Sequence, residues 1–153
     1  LQVEGVQCAI VDDNYIGYVK LYVNNSDGEL PSELRKAVIK QMEDYRAAGI
    51  EVDVLPTVKK SINQTIRVMI GNEYDTEVYS KQIKQVAIKF INEFNVGDSY
   101  YVSDIIHHIR ANYEGIVINV EVVNPTDNII QNNEIIKAGN INVICINKKN
   151  WRV

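Results

Sequence analysis

Hydrophobic and polar positions along this chain alternate with two different periods, and the switches between them mark its elements. Val19, Leu21 and Val23 alternate with Tyr18, Lys20 and Tyr22, the two-residue period of a half-buried strand. Asn24-Asn25-Ser26-Asp27-Gly28 then supplies turn chemistry: short polar side chains that bond their own backbone, and a glycine free to take positive φ. Pro31 suits the first turn of a helix, where its missing N–H costs nothing. Leu34, Ala37, Val38, Met42, Tyr45 and Ala48 recur at helical spacing and predict one apolar stripe, with Gly49 placed to stop the helix in a left-handed cap. Ile50, Val52 and Val54 resume the strand period, and Pro56 ends it. The stretch from Gly17 to Val58 therefore predicts a βαβ unit with two parallel strands and a helix across one face. Upstream, Val6, Cys8 and Ile10 alternate, and Asp12-Asp13-Asn14 turns the chain into the strand beginning near Ile16. The added hairpin gives ββαβ for residues 1–56.

Leu55-Pro56-Thr57 marks a boundary, because proline both stops a ladder and stiffens a link. Beyond it, residues 57–153 predict a C-terminal α+β domain. Ile62, Ile66, Val68 and Ile70 share one strand face interrupted by Gln64, while Asn63, Thr65 and Arg67 face the other way. From Thr76 to Asn95 the stripe Tyr79, Ile83, Val86, Ala87, Phe90, Ile91 and Phe94 predicts the longest helix, ended by Val96-Gly97-Asp98. Tyr100-Tyr101-Val102 reads as a short strand or extended link. Ser103 is placed to cap a short helix carrying Ile105, Ile106 and Ile109, with Asp104 in its first turn. After Gly115, Ile116, Ile118, Val120 and Val122 predict a strand, and Asn124-Pro125-Thr126-Asp127 a turn. Asn128 to Asn140 is Asn-rich and weakly patterned, an arm or long loop. Ile141 to Ile146 is a last strand, apolar on both faces and hence either central in a sheet or covered by a partner. The fold class is α+β: two small sheet-plus-helix domains, ββαβ followed by a βα(β)αββ unit.

Composition narrows function mainly by exclusion. With 153 residues and 46% hydrophobic content the chain can bury a core without disulfides. A net charge of −4 and no basic cluster beyond Lys59-Lys60 and Lys148-Lys149 argue against nucleic acid. No apolar run approaches the roughly 20 residues of a membrane span, and no signal peptide is visible. The chain opens on Leu1 rather than methionine, which suggests a domain of a longer protein. Cys8 and Cys145 lie far apart inside strand-like runs and read as buried reduced thiols of a reducing compartment.

Reactive constellations are sparse. Asp104 stands three and four residues before His107 and His108 and can share their helix face. A metal site needs three or four converging ligands, so two exposed histidines beside an isoleucine stripe is the expected reading. The acidic turns at Asp12-Asp13-Asn14 and Asn24–Gly28 lack the alternating ligands and closing glutamate of calcium loops. Glu73, Asp75 and Glu77 precede the long helix, where carboxylates favour its dipole. There is no Gly-x-Ser-x-Gly elbow and no phosphate-cradling glycine loop. Catalytic, cofactor-binding and metal residues are accordingly expected to be none, with no cofactor and no small-molecule substrate. Among nine tyrosines, Tyr18 and Tyr22 flank Lys20 on the strand face away from Leu21, which suits either a protein contact or ordinary half-buried sheet positions.

The order of features resembles the baseplate J-like family of tail baseplate proteins in phages and related contractile systems. The matching pieces are Val3-Glu4-Gly5-Val6, Gly17 to Val23, Asp27-Gly28-Glu29-Leu30-Pro31-Ser32-Glu33-Leu34, Arg46 to Val52 and Pro56. Gly97-Asp98, Val102-Ser103-Asp104-Ile105, Gly115-Ile116 and Asn124-Pro125 resemble its C-terminal part. The likeness spans nearly the whole chain and rests on order and spacing. It implies the C-terminal half of a structural wedge protein, without catalytic residues, in the virion tail baseplate and, during assembly, the host cytoplasm. It also implies partners among other wedge and hub proteins, and self-association. Two other expectations compete: a small-molecule-binding regulatory α/β domain, since such sheets also serve as sensors, and a hydrolase using Asp104 with His107 or His108.

Overall fold

Two three-stranded sheets, each carrying helices, make up an α+β fold in the computed structural model, which describes residues 3–14, 16–45, 47, 49–130 and 134–152. The elements run β1 (Cys8–Asp12), β2 (Tyr18–Asn24), α1 (Ser32–Glu43), β3 (Glu51–Pro56), β4 (Val58–Ile70), α2 (Thr76–Asn92), α3 (Val102–Asn112), β5 (Val117–Asn124) and β6 (Glu134–Asn147). Thr57 alone separates β3 from β4. The chain divides into two compact units between Lys60 and Ser61, and short later pieces around Val96 and up to Ile135 group with the first.

In the first unit β2 is central. β1 pairs with it antiparallel from Cys8↔Asn24 to Asp12↔Lys20, and β3 pairs parallel from Tyr18↔Glu51 to Val23↔Pro56. The parallel pair needs a crossover, and α1 supplies it, laying Val38 against Leu21, Val23 and Val54. Arg35 fastens the helix to the sheet by donating from Nε to the Val54 carbonyl at 3.0 Å. The turn before α1 is built by Asn25, whose Oδ1 accepts from the backbone N–H of Asp27 at 3.0 Å and Glu29 at 2.9 Å.

Helical spacing overstates the length of α1. The helix stops at Glu43, and Tyr45 is 67% exposed rather than part of the buried stripe. Gly49 does take φ +85°, but in a turn into β3, beside the Ile50 N–H bonded to the Ala47 carbonyl, and not as the helix cap. The register explains why. Glu51 must meet Tyr18 at the start of β2, so the chain after Glu43 has to double back. Ala48 and Arg46, both part of the sequence reading, lie outside the described residues.

In the second unit β4 is central between β5 and β6. Asn140 sits beside Asn63 and Asn147 beside Gly71, contacts that climb together along both chains, so β6 runs in the direction of β4. β5 runs antiparallel to β4 and shifts register twice. Helices α2 and α3 cover one face, where Ile83, Ala87, Ile91, Ile105 and Ile109 pack on Ile66, Val68 and Ile70 with no exposure. Asp75 caps α2, its Oδ1 accepting from Glu77 N and Val78 N at 2.9 and 3.0 Å.

Two local expectations fail here, and a third is narrowed. Ser103 is not the cap of α3; the helix starts one residue earlier, and Val102 N donates to Asn128 Oδ1 at 2.9 Å, so a sequence-distant amide takes that part. The Asn-rich stretch is not a long arm: Ile129 bridges Tyr100 through two backbone hydrogen bonds of 2.8 Å, and Glu134 to Asn140 form the first half of β6. Residues 131–133 of that stretch lie outside the described ones. Of the two readings of the last strand, central in a sheet or covered by a partner, the first falls away, since β6 is an edge strand.

Candidate functional site

The sequence places Asp104, His107 and His108 within reach of one another, and the structure sends them to different neighbours. His107 is exposed, on a shallow hollow with Ser103, Arg110 and Glu114. His108 turns inward, its ring 4.6 Å from that of Phe90 and tilted by 30°. Asn112 Nδ2 donates to the His108 carbonyl at 2.8 Å. Asp104 accepts from the Ser103 hydroxyl at the long distance of 3.5 Å. Among the described residues, no side-chain hydrogen bond joins Asp104 to either histidine. Among the described residues, no group of three or more His, Cys, Asp or Glu side chains could hold a metal ion.

The acidic turns are occupied with backbone work. Asp12 Oδ1 accepts from the Asn14 backbone N–H at 3.3 Å and from its Nδ2 at 2.7 Å, and Asn25 organises its own loop as described. Cys8 and Cys145 are free thiols, the first half-buried and the second buried. Burial pushes the Cys145 thiol upward, opposed by a hydrogen bond with Ser80. Tyr18, Lys20 and Tyr22 are half-buried on one strand face, with Lys20 Nζ 6.0 Å from the Tyr18 ring centre. No helix of the described residues is long and apolar enough to cross a membrane.

What the structure adds is surface. Ala9 and Val11 on β1 stand opposite Val23 and Leu21 in register, so the four share the face on which α1 packs. The helix does not reach β1, and Val11 stays 61% exposed. With Val3, Val6 and Val38 these residues line a groove of about 800 Å³ whose wall carries one acid, Glu4. The second sheet has its own open features. Its two register shifts leave Ile118 and Val123 without β4 partners, and both are exposed, as is Ile144 on β6. Beside them Arg67 donates to Glu121 Oε2 at 2.7 Å and to the Arg152 carbonyl at 3.0 Å, and lies 4.6 Å from the Trp151 ring centre.

Sequence reasoning missed one polar pair in the core. Gln64, which interrupts the apolar face of β4, donates from Nε2 to Tyr100 Oη at 2.6 Å, both side chains being buried. Burial pushes the Tyr100 hydroxyl up to about 12, against the pull of that hydrogen bond. Among the described residues Gln64 Oε1 has no partner, so the pair is held by packing as much as by polarity. Its only sequence signal is a glutamine in an isoleucine stripe.

No protein-family model matches the chain, and no curated protein matches it.

Proposed function

We infer that the chain is a structural component of a phage or phage-like contractile tail baseplate, acting in wedge assembly through protein–protein contacts. The reading is carried by the order of motifs resembling the baseplate J-like family, whose pieces serve the fold as turns and strand starts. Asp27-Gly28-Glu29 closes the Asn25 loop ahead of α1, and Gly49 turns the chain into β3. A protein whose signature residues shape the backbone works by the surfaces that backbone presents. Those surfaces include the open apolar groove of the first unit and the exposed Ile118, Val123 and Ile144 of the second, features that suit burial by other subunits.

Co-sedimentation tests this. Mixed at micromolar concentration with wedge and hub proteins encoded by flanking tail genes, the chain is expected to enter a larger complex. A strict monomer without affinity for any of them would overturn the reading.

The groove also favours a second reading, a small-molecule-binding regulatory domain, because its volume and apolar walls fall within the range of ligand pockets. A ligand at about 100 times its Kd adds about 2.7 kcal/mol to stability. A thermal-shift screen with amino acids and nucleotides would favour this second reading if one compound raised Tm by several degrees.

A further inference from the structure

Sheet edges in soluble proteins are ordinarily protected, since unpaired N–H and C=O groups template pairing with another chain. Three of the edges here carry such protection. β3 ends on Pro56 and exposes Glu51 and Asp53; β5 is broken by two register shifts; β6 carries Lys137 and Gly139. β1 differs. Among the described residues no strand flanks it on the side away from β2. Its ladder with β2 is unbroken through five pairs; its one charge is the terminal Asp12, and Cys8-Ala9-Ile10-Val11 holds no charge, proline or glycine. Its exposed Val11 also forms the open wall of the apolar groove, so backbone and side chains are uncovered at one place.

We propose that β1 pairs with β1 of a second copy of this chain, antiparallel about a two-fold axis at Ile10. The inference rests on the assembly reading and names one of its contacts. The strand's own sequence selects this occupant. A two-fold axis perpendicular to the sheet can sit only on a residue, because facing side chains must share a face. Centred on Ile10, it sets Ile10 against its own copy and Ala9 against Val11 on both sides, apolar on apolar on either face. Cys8 then falls opposite Asp12, a weak donor facing an acceptor. Centring on Val11 would oppose Ile10 to Asp12, and centring on Ala9 would oppose Val11 to Gln7, each burying a side chain against a mismatched one. The Ile10 register joins two three-stranded sheets into one of six and closes the open side of each groove with the Val11 of the other copy.

Sedimentation velocity from about 1 µM to about 1 mM is expected to show a monomer–dimer equilibrium. Val11→Lys, at a position exposed enough to leave the circular dichroism spectrum unchanged, is expected to weaken association by about tenfold or more, from lost apolar burial and a charge against Ala9. In a Cys8→Ser background, Ile10→Cys is expected to oxidise to a disulfide-linked dimer, since directly opposed strand residues lie within disulfide span. Val11→Cys in the same background, facing Ala9, is expected to cross-link far less. A wild-type monomer at about 1 mM overturns the proposal while leaving binding to wedge and hub proteins untouched. A dimer indifferent to Val11→Lys and not linked through Ile10→Cys also overturns it, and places self-association elsewhere. Loss of affinity for baseplate neighbours is a separate measurement, which bears on the assembly reading alone.

Discussion

Under one helix, the first unit closes its core on Leu21, Val23, Val38 and Val54; under two, the second buries fifteen side chains among the described residues, nine of them isoleucine. Both build a three-stranded sheet, yet they spend their surfaces differently. A small core cannot cover its sheet, so β1 keeps an open edge and an open groove. A large core satisfies one face completely and leaves exposed apolar residues at bulges and on an edge strand. Among the described residues, burial is therefore deeper in the second unit, and an apolar groove stays open in the first.

Five substitutions would break or sharpen that contrast. Ile66→Ala removes a fully buried side chain at the centre of β4 and is expected to cost about 4 kcal/mol. Val23→Ala in the smaller core is expected to cost about 2 kcal/mol. Denaturant titrations of both variants read the difference directly, and equal losses would mean the cores are energetically alike. Tyr100→Phe strips Gln64 Nε2 of its acceptor and is expected to cost about 2 kcal/mol. The same residue gives a pH signature. An unfolded tyrosine titrates near 10, while Tyr100 is pushed up to about 12 in the fold. Its stabilising effect is thus complete below pH about 10 and lost as pH climbs through 12. Stability measured between those values should fall more steeply for the wild type than for Tyr100→Phe. Asp75→Ala frees two backbone donors of α2 and is expected to cost about 1 kcal/mol, seen as a lower Tm. Gly49→Ala is the mildest. A Cβ there meets nothing within 4 Å, so the loss of about 1 kcal/mol comes from φ +85° alone, and a neutral result would show that this turn adapts freely.

Much of this architecture was readable because it is local. The stripe from Tyr79 to Ile91 repeats through α2, and the strand–turn–helix–strand order of the first unit follows from alternation, Asn25 turn chemistry and Pro56. What could not be read depends on partners distant in the chain. The first half of β6 looked like loop because its pattern is weak and polar, yet it is tied down: Lys137 Nζ donates to the Asn92 carbonyl, and the backbone N–H groups of Ala138 and Asn140 donate to Asn92 Oδ1 and Asn63 Oδ1. The α3 cap came from Asn128, and the acceptor for Gln64 from Tyr100, across 36 residues. The length of α1 failed for a related reason, since helical spacing carries no record of the strand register that forces the chain back. For the candidate site, the dispersal of Asp104, His107 and His108 follows from helix phase, which turns His108 toward Phe90. The groove was invisible in sequence because it exists only where β1 outreaches α1.

The clamp around Arg67 has a practical consequence. Trp151 is the chain's single tryptophan, and a guanidinium lies 4.6 Å from its ring centre. Its emission is thus an optical reporter built into the second unit, one that changes when Arg67 and the C-terminal residues part. Titrations followed at that wavelength will track loosening of the larger core, leaving events at β1 to be watched by other probes.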